Sequence, residues 1–351
     1  MNFDRTLIIK PSSLGDIVQA LPVLTALKEA HPEAHVEWLV FHSFAGVLAG
    51  HPRIDDLIVF NRDRARQFWN PLAWAEVLTL RRTLRRKRFT AVLDLQGLFR
   101  SGQFTLWTGA PDRVGFAEAR ELASRFYTDK VSAPRQMHAV DRYLLLARHI
   151  GLADPKSKNH LPVAAQTRET VRRRLIQRGL APNEPFVVVS AHARWETKQW
   201  PPERFAEVLN HLHVATGARG VLVGGRAAAA VNRAIGRAAS VKPIDLVNHT
   251  TLKELVAVIA EARAMVTNDS GPMHVAAAVG TPVVAVFGPT DPGRTGPYGP
   301  GHHVLAKRAA CSPCFRRRCP YAGGPQALCC LTNVPADEVA RGLVEVWKAR
   351  G

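Results

Sequence analysis

The sequence predicts an α/β protein of two doubly wound domains that face a cleft. Short apolar runs alternate with helical stretches of mostly ten or more residues along the whole chain, the pattern of parallel sheets covered on both faces. The same plan occurs on either side of a polar, proline-containing stretch, Ala153–Pro162, which reads as a linker. A length of 351 residues also favours two cores over one. The predicted division is 1–160 and 161–351.

In the first half Leu7–Lys10 reads as a buried strand, followed by a polar loop at 11–16 and a helix that runs to Ala30 and stops at His31-Pro32. Val36–Phe41, Leu57–Phe60 and Ala91–Leu95 are further strands, with helical segments at Trp69–Arg88 and Ala139–Ile150. In the second half Phe186–Ser190, Gly220–Val223, Met265–Asn268 and Val283–Phe287 read as strands. Helices at Pro202–Thr216, Ala227–Ala239, Leu252–Ala260 and Met273–Val279 separate them. Ligands of doubly wound sheets bind beyond the carboxyl ends of the strands, so the loops at 11–16, 96–102, 191–200, 224–226, 268–274 and 288–296 are the candidate sites.

Apolar content of 46% and charged content of 22% are ordinary for a globular protein, but the net charge of +18 implies an anionic partner. The densest basic run, Arg81 to Arg88, has no aromatic residue within it. It reads as the solvated face of a helix, and no nucleic-acid-binding signature accompanies it, so nucleic acid is not an expected partner. No stretch approaches the ~20 apolar residues of a membrane span, and Thr6–Ile9 is too short for a secretory h-region. The expectation is a cytoplasmic protein whose five cysteines are reduced.

The candidate loops carry specific chemistry. In Ser12-Ser13-Leu14-Gly15-Asp16 an aspartate at the cleft can accept a proton from a hydroxyl, although Ser and Asp in such a loop equally serve as helix caps. The loop 191–201 brings Arg194 and Lys198, cations placed where a departing phosphate needs neutralising. The stretch Asn268 to Thr290 joins two apolar strands through a small-residue helix starting near Pro272. Backbone N–H groups at Ser270 and Gly271, with the helix dipole, suit a diphosphate. The chain has neither G-x-G-x-x-G after its first strand nor a Walker A sequence. Cys311, Cys314, Cys319 and Cys329, followed by Cys330, have C-x2-C-x4-C-x9-C spacing, which can hold structural zinc or an iron–sulfur cluster. Reduced thiols packed in a loop are the alternative.

Leu7 to Pro22, Asp94-Leu95-Gln96-Gly97-Leu98, Lys198-Gln199-Trp200-Pro201, Asn268 to His274 and Phe287 to Pro292 together resemble the bacterial lipopolysaccharide heptosyltransferases, glycosyltransferase family 9. The matches follow the family's order across nearly the whole chain. The first half, with Asp94–Gly102 and Ala119-Arg120-Glu121, is most similar to heptosyltransferase I. The resemblance implies a GT-B fold of two Rossmann-like domains: an acceptor domain at 1–160, and a nucleotide-sugar domain at 161–351 whose last helix is free to pack back on the first. It implies metal-independent, inverting transfer of heptose from ADP-heptose to Kdo-lipid A or inner-core glycolipid. The enzyme would work peripherally on the anionic cytoplasmic face of the inner membrane.

Asp16 matches the catalytic base, Lys198 the lysine on the donor diphosphate, and Ser270 and Gly271 the phosphate turn, with Ser13, Arg194, Asp269 and His274 around the donor. Arg62, Arg64, Arg66 and Arg120 are the cations assigned to the acceptor's phosphates and carboxylates. One departure from the family is Arg226-Ala227-Ala228-Ala229-Ala230 after Gly224-Gly225, with no carboxylate until Asp245 where a ribose-binding acid is common. The cysteine cluster is the other, and is more usual in heptosyltransferase II-like members. A family transferase with another donor or acceptor is the nearest alternative function. A sugar-nucleotide epimerase and a non-catalytic basic nucleic-acid-binding protein are weaker ones.

Overall fold

The computed structural model describes residues 1–65, 71–156 and 161–350. The chain divides into two units, Met1–Pro162 and Val163–Gly351, the boundary falling at the end of the predicted linker.

Unit 1 runs β1 (Arg5–Ile9), α1 (Leu14–Ala30), β2 (His35–Phe41), α2 (Ala45–Leu48), β3 (Asp56–Phe60), α3 (Arg62–Ala65), α4 (Pro71–Arg86), β4 (Ala91–Asp94), α5 (Phe99–Thr108), β5 (Asp112–Phe116), β6 (Asp129–Val131) and α6 (Ala139–His149). Its strands form one parallel sheet in the order β3-β2-β1-β4-β5-β6. The central strand β1 is buried from Thr6 to Ile9 and apolar from Leu7 on, as suits a strand covered on both faces. On one face Leu7, Ile9, Leu39 and Ile58 pack with Leu80 and Leu84 of α4 and Phe104 of α5. Fully burying one such leucine contributes roughly 2 kcal/mol. Helix α1 is buried almost all round, from Ile17 to Leu27, which explains its lack of a polar stripe.

Unit 2 runs α7 (Ala165–Gln177), β7 (Phe186–Ser190), α8 (Pro202–Thr216), β8 (Arg219–Leu222), α9 (Ala229–Ala238), β9 (Ile244–Asp245), α10 (Leu252–Glu261), β10 (Ala264–Asn268), α11 (Gly271–Ala278), β11 (Val283–Phe287), α12 (Pro292–Thr295), β12 (His303–Ala306), α13 (Cys329–Thr332) and α14 (Ala336–Ala349). The sheet order is β12-β11-β10-β7-β8-β9. Counted from β7, this is the strand order of unit 1 again. Helix α14 packs on α8 and against β10, β11 and β12 of its own unit. There Val339, Leu343 and Trp347 join the core of Val187, Val189, Trp200 and Phe205.

In each sheet the strand order reverses beside the first strand, between β1 and β4 and between β7 and β10. Connections leave in opposite directions at such a point and open a crevice past the strand ends. The loops at the two switch points are 10–13 with 95–98, and 191–201 with 269–270.

Candidate active site

At the switch point of unit 1, Ser13 is the N-cap of α1. Its N–H and its hydroxyl both donate to Oδ2 of Asp16, at 3.0 and 2.5 Å. The capping role expected for Asp16 is therefore real, and it fixes the carboxylate at the strand-to-helix turn. Beneath it lies Lys10, 4% exposed, whose Nζ donates to the Leu95 carbonyl at 3.0 Å and stands 5.4 Å from the Tyr143 ring centroid. Burial pulls the Lys10 ammonium down, but Tyr143, Asp16 and Asp94 outweigh it and hold the group above the ordinary lysine value. Lys10 is thus a buried cation among acids, a feature the sequence reading passed over as a strand end.

Asp94, at the end of β4, is fully buried and accepts from Gln96 N–H at 2.9 Å, Gly97 N–H at 3.1 Å and Tyr127 O–H at 2.7 Å. Burial pushes its carboxyl above the usual aspartate range, against the pull of those hydrogen bonds and of Ser101. The loop it shapes turns through Gly97 at φ +66°, and the Gly97 carbonyl accepts from Arg120 N–H at 2.9 Å. The backbone of Arg120 is thereby tied to the switch-point loop, while its side chain stays exposed.

At the switch point of unit 2 the chemistry is cationic. Lys198 Nζ lies 2.5 Å from Oδ2 of Asp269, and Thr290 Oγ1 donates to the same oxygen at 2.6 Å. Asp269 is 5% exposed, so the pair is held in a largely desolvated place. Asn268 accepts from Trp200 N–H at 3.1 Å and donates to the Ala191 carbonyl at 2.6 Å, pinning the loop after β7 to the end of β10. Trp200 is buried, and its indole N–H reaches the Val334 carbonyl at 3.2 Å, so it anchors the loop by packing. Ser270 stands at the N-cap position of α11 with its hydroxyl turned to Thr267 Oγ1, 3.3 Å away, rather than to the helix N–H groups, and Gly271 opens the helix. His274 is buried one turn further on. A lysine, a hydroxyl and the N–H groups of a helix start so gathered can take an anion. Asn268 and Thr290 went unassigned because their roles depend on which strand ends are neighbours.

Residues 77–323 match the family model of glycosyltransferase family 9 (heptosyltransferase). The chain belongs to this family. It is 32% identical to lipopolysaccharide heptosyltransferase 1 of Pseudomonas aeruginosa over 322 residues, 90% of this chain and 88% of that protein. It is also 32% identical to lipopolysaccharide heptosyltransferase 1 of Salmonella typhimurium, over 88% of this chain and 94% of that one. Among solved structures it is similar to E. coli heptosyltransferase WaaC with ADP, at a TM-score of 0.76 and 28% identity, covering 97% of this chain and 99% of that one. A family 9 glycosyl transferase from Veillonella parvula has the same fold, at a TM-score of 0.86 and 23% identity over 99% of this chain and 98% of that one. The α/β, GT-B fold read from the sequence is the observed one.

The remaining residues named from the sequence of this heptosyltransferase-family enzyme are more dispersed. Arg194 is exposed and precedes Trp195, whose ring centroid lies 4.7 Å from Lys198 Nζ and 5.2 Å from Arg317 Cζ. Arg62 follows edge strand β3, with its guanidinium 5.2 Å from the Phe41 ring centroid. Arg64 belongs to α3, and Arg66 lies outside the described residues. In the loop after β7, His192 has its Nδ1 buried without a hydrogen-bond partner among the described residues, and burial lowers its pKa. A neutral imidazole in the loop that carries Lys198 is therefore a feature the sequence reading did not single out.

Gly224, after β8, has φ +152°, and a Cβ there would meet Ala228 Cβ at 2.4 Å, so the chain turns sharply without a side chain. Asp245 is already engaged, accepting from Val247 N–H at 2.8 Å and Asn232 Nδ2 at 3.4 Å.

Cys311, Cys314, Cys319, Cys329 and Cys330 are all free thiols. Burial, and then the neighbouring cysteines, push Cys330 up to about 11. Among the described residues no group of three or more His, Cys, Asp or Glu is placed to hold a metal ion. The cysteine loop meets the Lys198 loop where Thr197 Oγ1 donates to the Arg316 carbonyl at 2.8 Å, and the loop after β11 where Phe315 N–H donates to the Pro289 carbonyl at 2.8 Å. No helix among the described residues is long and apolar enough to cross a membrane.

Proposed function

We propose that the protein transfers L-glycero-D-manno-heptose from ADP-heptose to Kdo-lipid A or another inner-core lipopolysaccharide acceptor, with inversion and without a catalytic metal. The observation that carries this reading is the switch point of unit 2, where Lys198, Thr290 and the start of α11 after Ser270 meet at Asp269. The 32% identity to lipopolysaccharide heptosyltransferase 1 over 90% of the chain supports the choice of donor and acceptor.

Asp16 accepts the proton of the acceptor hydroxyl as its oxygen bonds to the anomeric carbon of the heptose. The bond from that carbon to the β-phosphate oxygen breaks, and its electron pair leaves with ADP. Lys198 then neutralises the charge gained by the diphosphate, exchanging its pairing with Asp269 for the phosphate oxygen. The backbone N–H groups at Ser270 and Gly271 assist, with Arg194 and His274 at the border of the donor. The ribose is read by backbone groups at Gly224 and Gly225, because Asp245 is engaged elsewhere. Arg62 and Arg120 meet the acceptor's anionic groups, and the enzyme acts on the inner membrane's cytoplasmic face.

Incubation of the purified protein with ADP-heptose and Kdo-lipid A, following ADP release, is the direct test. Heptose-dependent ADP release that requires the acceptor is expected. Release with a different nucleotide-sugar, and none with ADP-heptose, would reassign the donor.

A further inference from the structure

Helix α4 keeps its core side to one arc: Ala73, Leu80 and Leu84 are buried, and Val77 packs on the same cluster. The opposite side combines two kinds of residue that seldom share an exposed surface. Trp74 is 60% exposed and Leu78, one turn on, is 45% exposed. Arg81, Arg82, Arg85 and Arg86 follow, all exposed. At 3.6 residues per turn Trp74, Leu78, Arg81 and Arg85 fall within about 60° of arc. Indole, leucine and guanidinium groups thus form one stripe.

The sheet edge beside α4 is exposed as well. Val59 of edge strand β3 is 44% exposed, and between β3 and α4 runs a groove of about 420 Å³ lined in part by Leu57, Val59, Ala75 and Thr79. Of the groove's two carboxylates, Asp56 is held by Lys87 at 2.8 Å and Glu76 accepts from Asn61 N–H at 3.3 Å. Lys87 also pairs with Glu37 at 2.6 Å, and Arg5 lies 3.7 Å from the same carboxylate, so Asp56 and Glu37 have cationic partners and the four exposed arginines of α4 outnumber its Glu76.

We infer that this face of unit 1 docks on an anionic bilayer surface. Trp74 and Leu78 enter at headgroup level, and Arg81 of the stripe, with Arg82 and Arg86 about 40° and 80° beyond Leu78, meets lipid phosphates, whereas the Arg85 guanidinium lies against Gly109. Tryptophan favours the membrane interface because its ring is amphipathic, and a helix with apolar and arginine-rich residues on one face lies in that plane. A second copy of this chain fits less well, since a two-fold contact would set arginines against arginines. The inference deepens the proposed function, because an acceptor glycolipid is presented from such a surface, yet vesicle binding tests it without any turnover.

The experiment is co-sedimentation of the full chain with vesicles of phosphatidylglycerol in phosphatidylcholine, and with phosphatidylcholine alone, at low salt. Wild type should bind the anionic vesicles only. Neutralising each arginine should weaken binding about fivefold, so Arg81→Gln with Arg82→Gln and Arg86→Gln should lose roughly a hundredfold. Trp74→Ser with Leu78→Ser should lose about tenfold or more. All five positions are exposed, and melting curves check that the variants fold.

Equal binding of wild type to both vesicle types, no binding to either, or an apolar double variant that binds like wild type would each overturn the inference. So would a single-stranded oligonucleotide bound with the same dependence on Trp74 and Leu78, which would assign the face to nucleic acid. ADP release on a water-soluble, delipidated acceptor should be unchanged in both variants. A wild type without turnover would count against the proposed reaction. Normal turnover with vesicle binding indifferent to α4 would count against this inference alone.

Discussion

In unit 1 the switch between β1 and β4 gathers carboxyl groups, Asp16 and Asp94, around the buried ammonium of Lys10. In unit 2 the corresponding switch between β7 and β10 gathers a lysine, hydroxyls and a helix start around the single carboxylate of Asp269. The strand order is the same and the chemistry opposite. Topology fixes where a site forms, whereas the few residues after each strand decide whether it handles a proton or an anion. The comparison can be broken by exchanging single residues and asking whether proton transfer and nucleotide binding fail separately.

The largest effect is expected at Asp16. Asp16→Ala should lower kcat by roughly 10²–10⁴, the usual contribution of a general base, while ADP affinity stays close to wild type. Asp16 also caps α1, so the alanine variant should lose about 1 kcal/mol of stability. Asp16→Asn separates the two roles, because the amide oxygen can still accept from Ser13. If Asp16→Asn turned over normally, the residue would be a cap and nothing more.

Next comes Lys198. Lys198→Ala removes the cation and leaves the carboxylate of Asp269, 5% exposed, with the Thr290 hydroxyl still donating to it. ADP affinity and kcat should both fall, kcat by about 10². Titration calorimetry with ADP is the discriminating measurement: unchanged affinity together with unchanged turnover would remove Lys198 from the donor site. Loss at Lys198 with retention at Asp16, in ADP binding, is the signature that the two switch points have divided the work.

Much of this division was legible beforehand. β1, β2, β3, β4, β7, β8, β10 and β11 are apolar runs long enough to be read directly, and the loops after β1, β7 and β10 were named from them. β5, β6, β9 and β12 were not read. β6 and β9 have three and two residues, and β12 is an edge strand, largely exposed, so none carries an apolar run. Among site residues Asp16, Lys198 and Ser270 follow strands in sequence and were visible. Thr290 and Asn268 act through residues far along the chain, and the charge balance of Lys10 depends on Asp16, Asp94 and Tyr143 arriving from separate elements. Contacts of that kind exist only once the sheet order is known.

Lys10 offers a test within unit 1. Lys10→Met keeps the length of the side chain and deletes its charge, leaving the Leu95 carbonyl without its donor at a cost of about 2 kcal/mol. Because its folded pKa is raised, the lysine's contribution is fully present below its ordinary value of 10.5 and is lost as pH rises through the higher folded value. The gap in stability between wild type and Lys10→Met should therefore narrow above that pH, as followed by denaturant melts. A gap independent of pH would mean that the ammonium contributes packing rather than charge.

The smallest effect belongs to unit 2, where Glu261 of α10 pairs with Arg168 and Arg172 of α7, each at 2.5 Å. Burial raises the Glu261 pKa, but hydrogen bonds and charge from the two arginines outweigh it and leave the group below its ordinary value of 4.5. The sign is then opposite to that of Lys10. The stabilisation is present above 4.5 and is lost as pH falls through the lower folded value. Both arginines are well exposed, at 39% and 60%, so water screens the pair and its worth is about 1 kcal/mol or less. Glu261→Gln should lower the melting temperature slightly near neutral pH, and the difference from wild type should vanish in acid. Since α7 and α10 stand apart from the Lys198 loop in sequence, and the described side-chain hydrogen bonds of Lys198 and Asp269 run to each other and to Thr290, ADP affinity should not change. A shift in ADP affinity would show that the outer helices of unit 2 set the position of its anion site, and the contrast between the two switch points would then extend beyond the loops themselves.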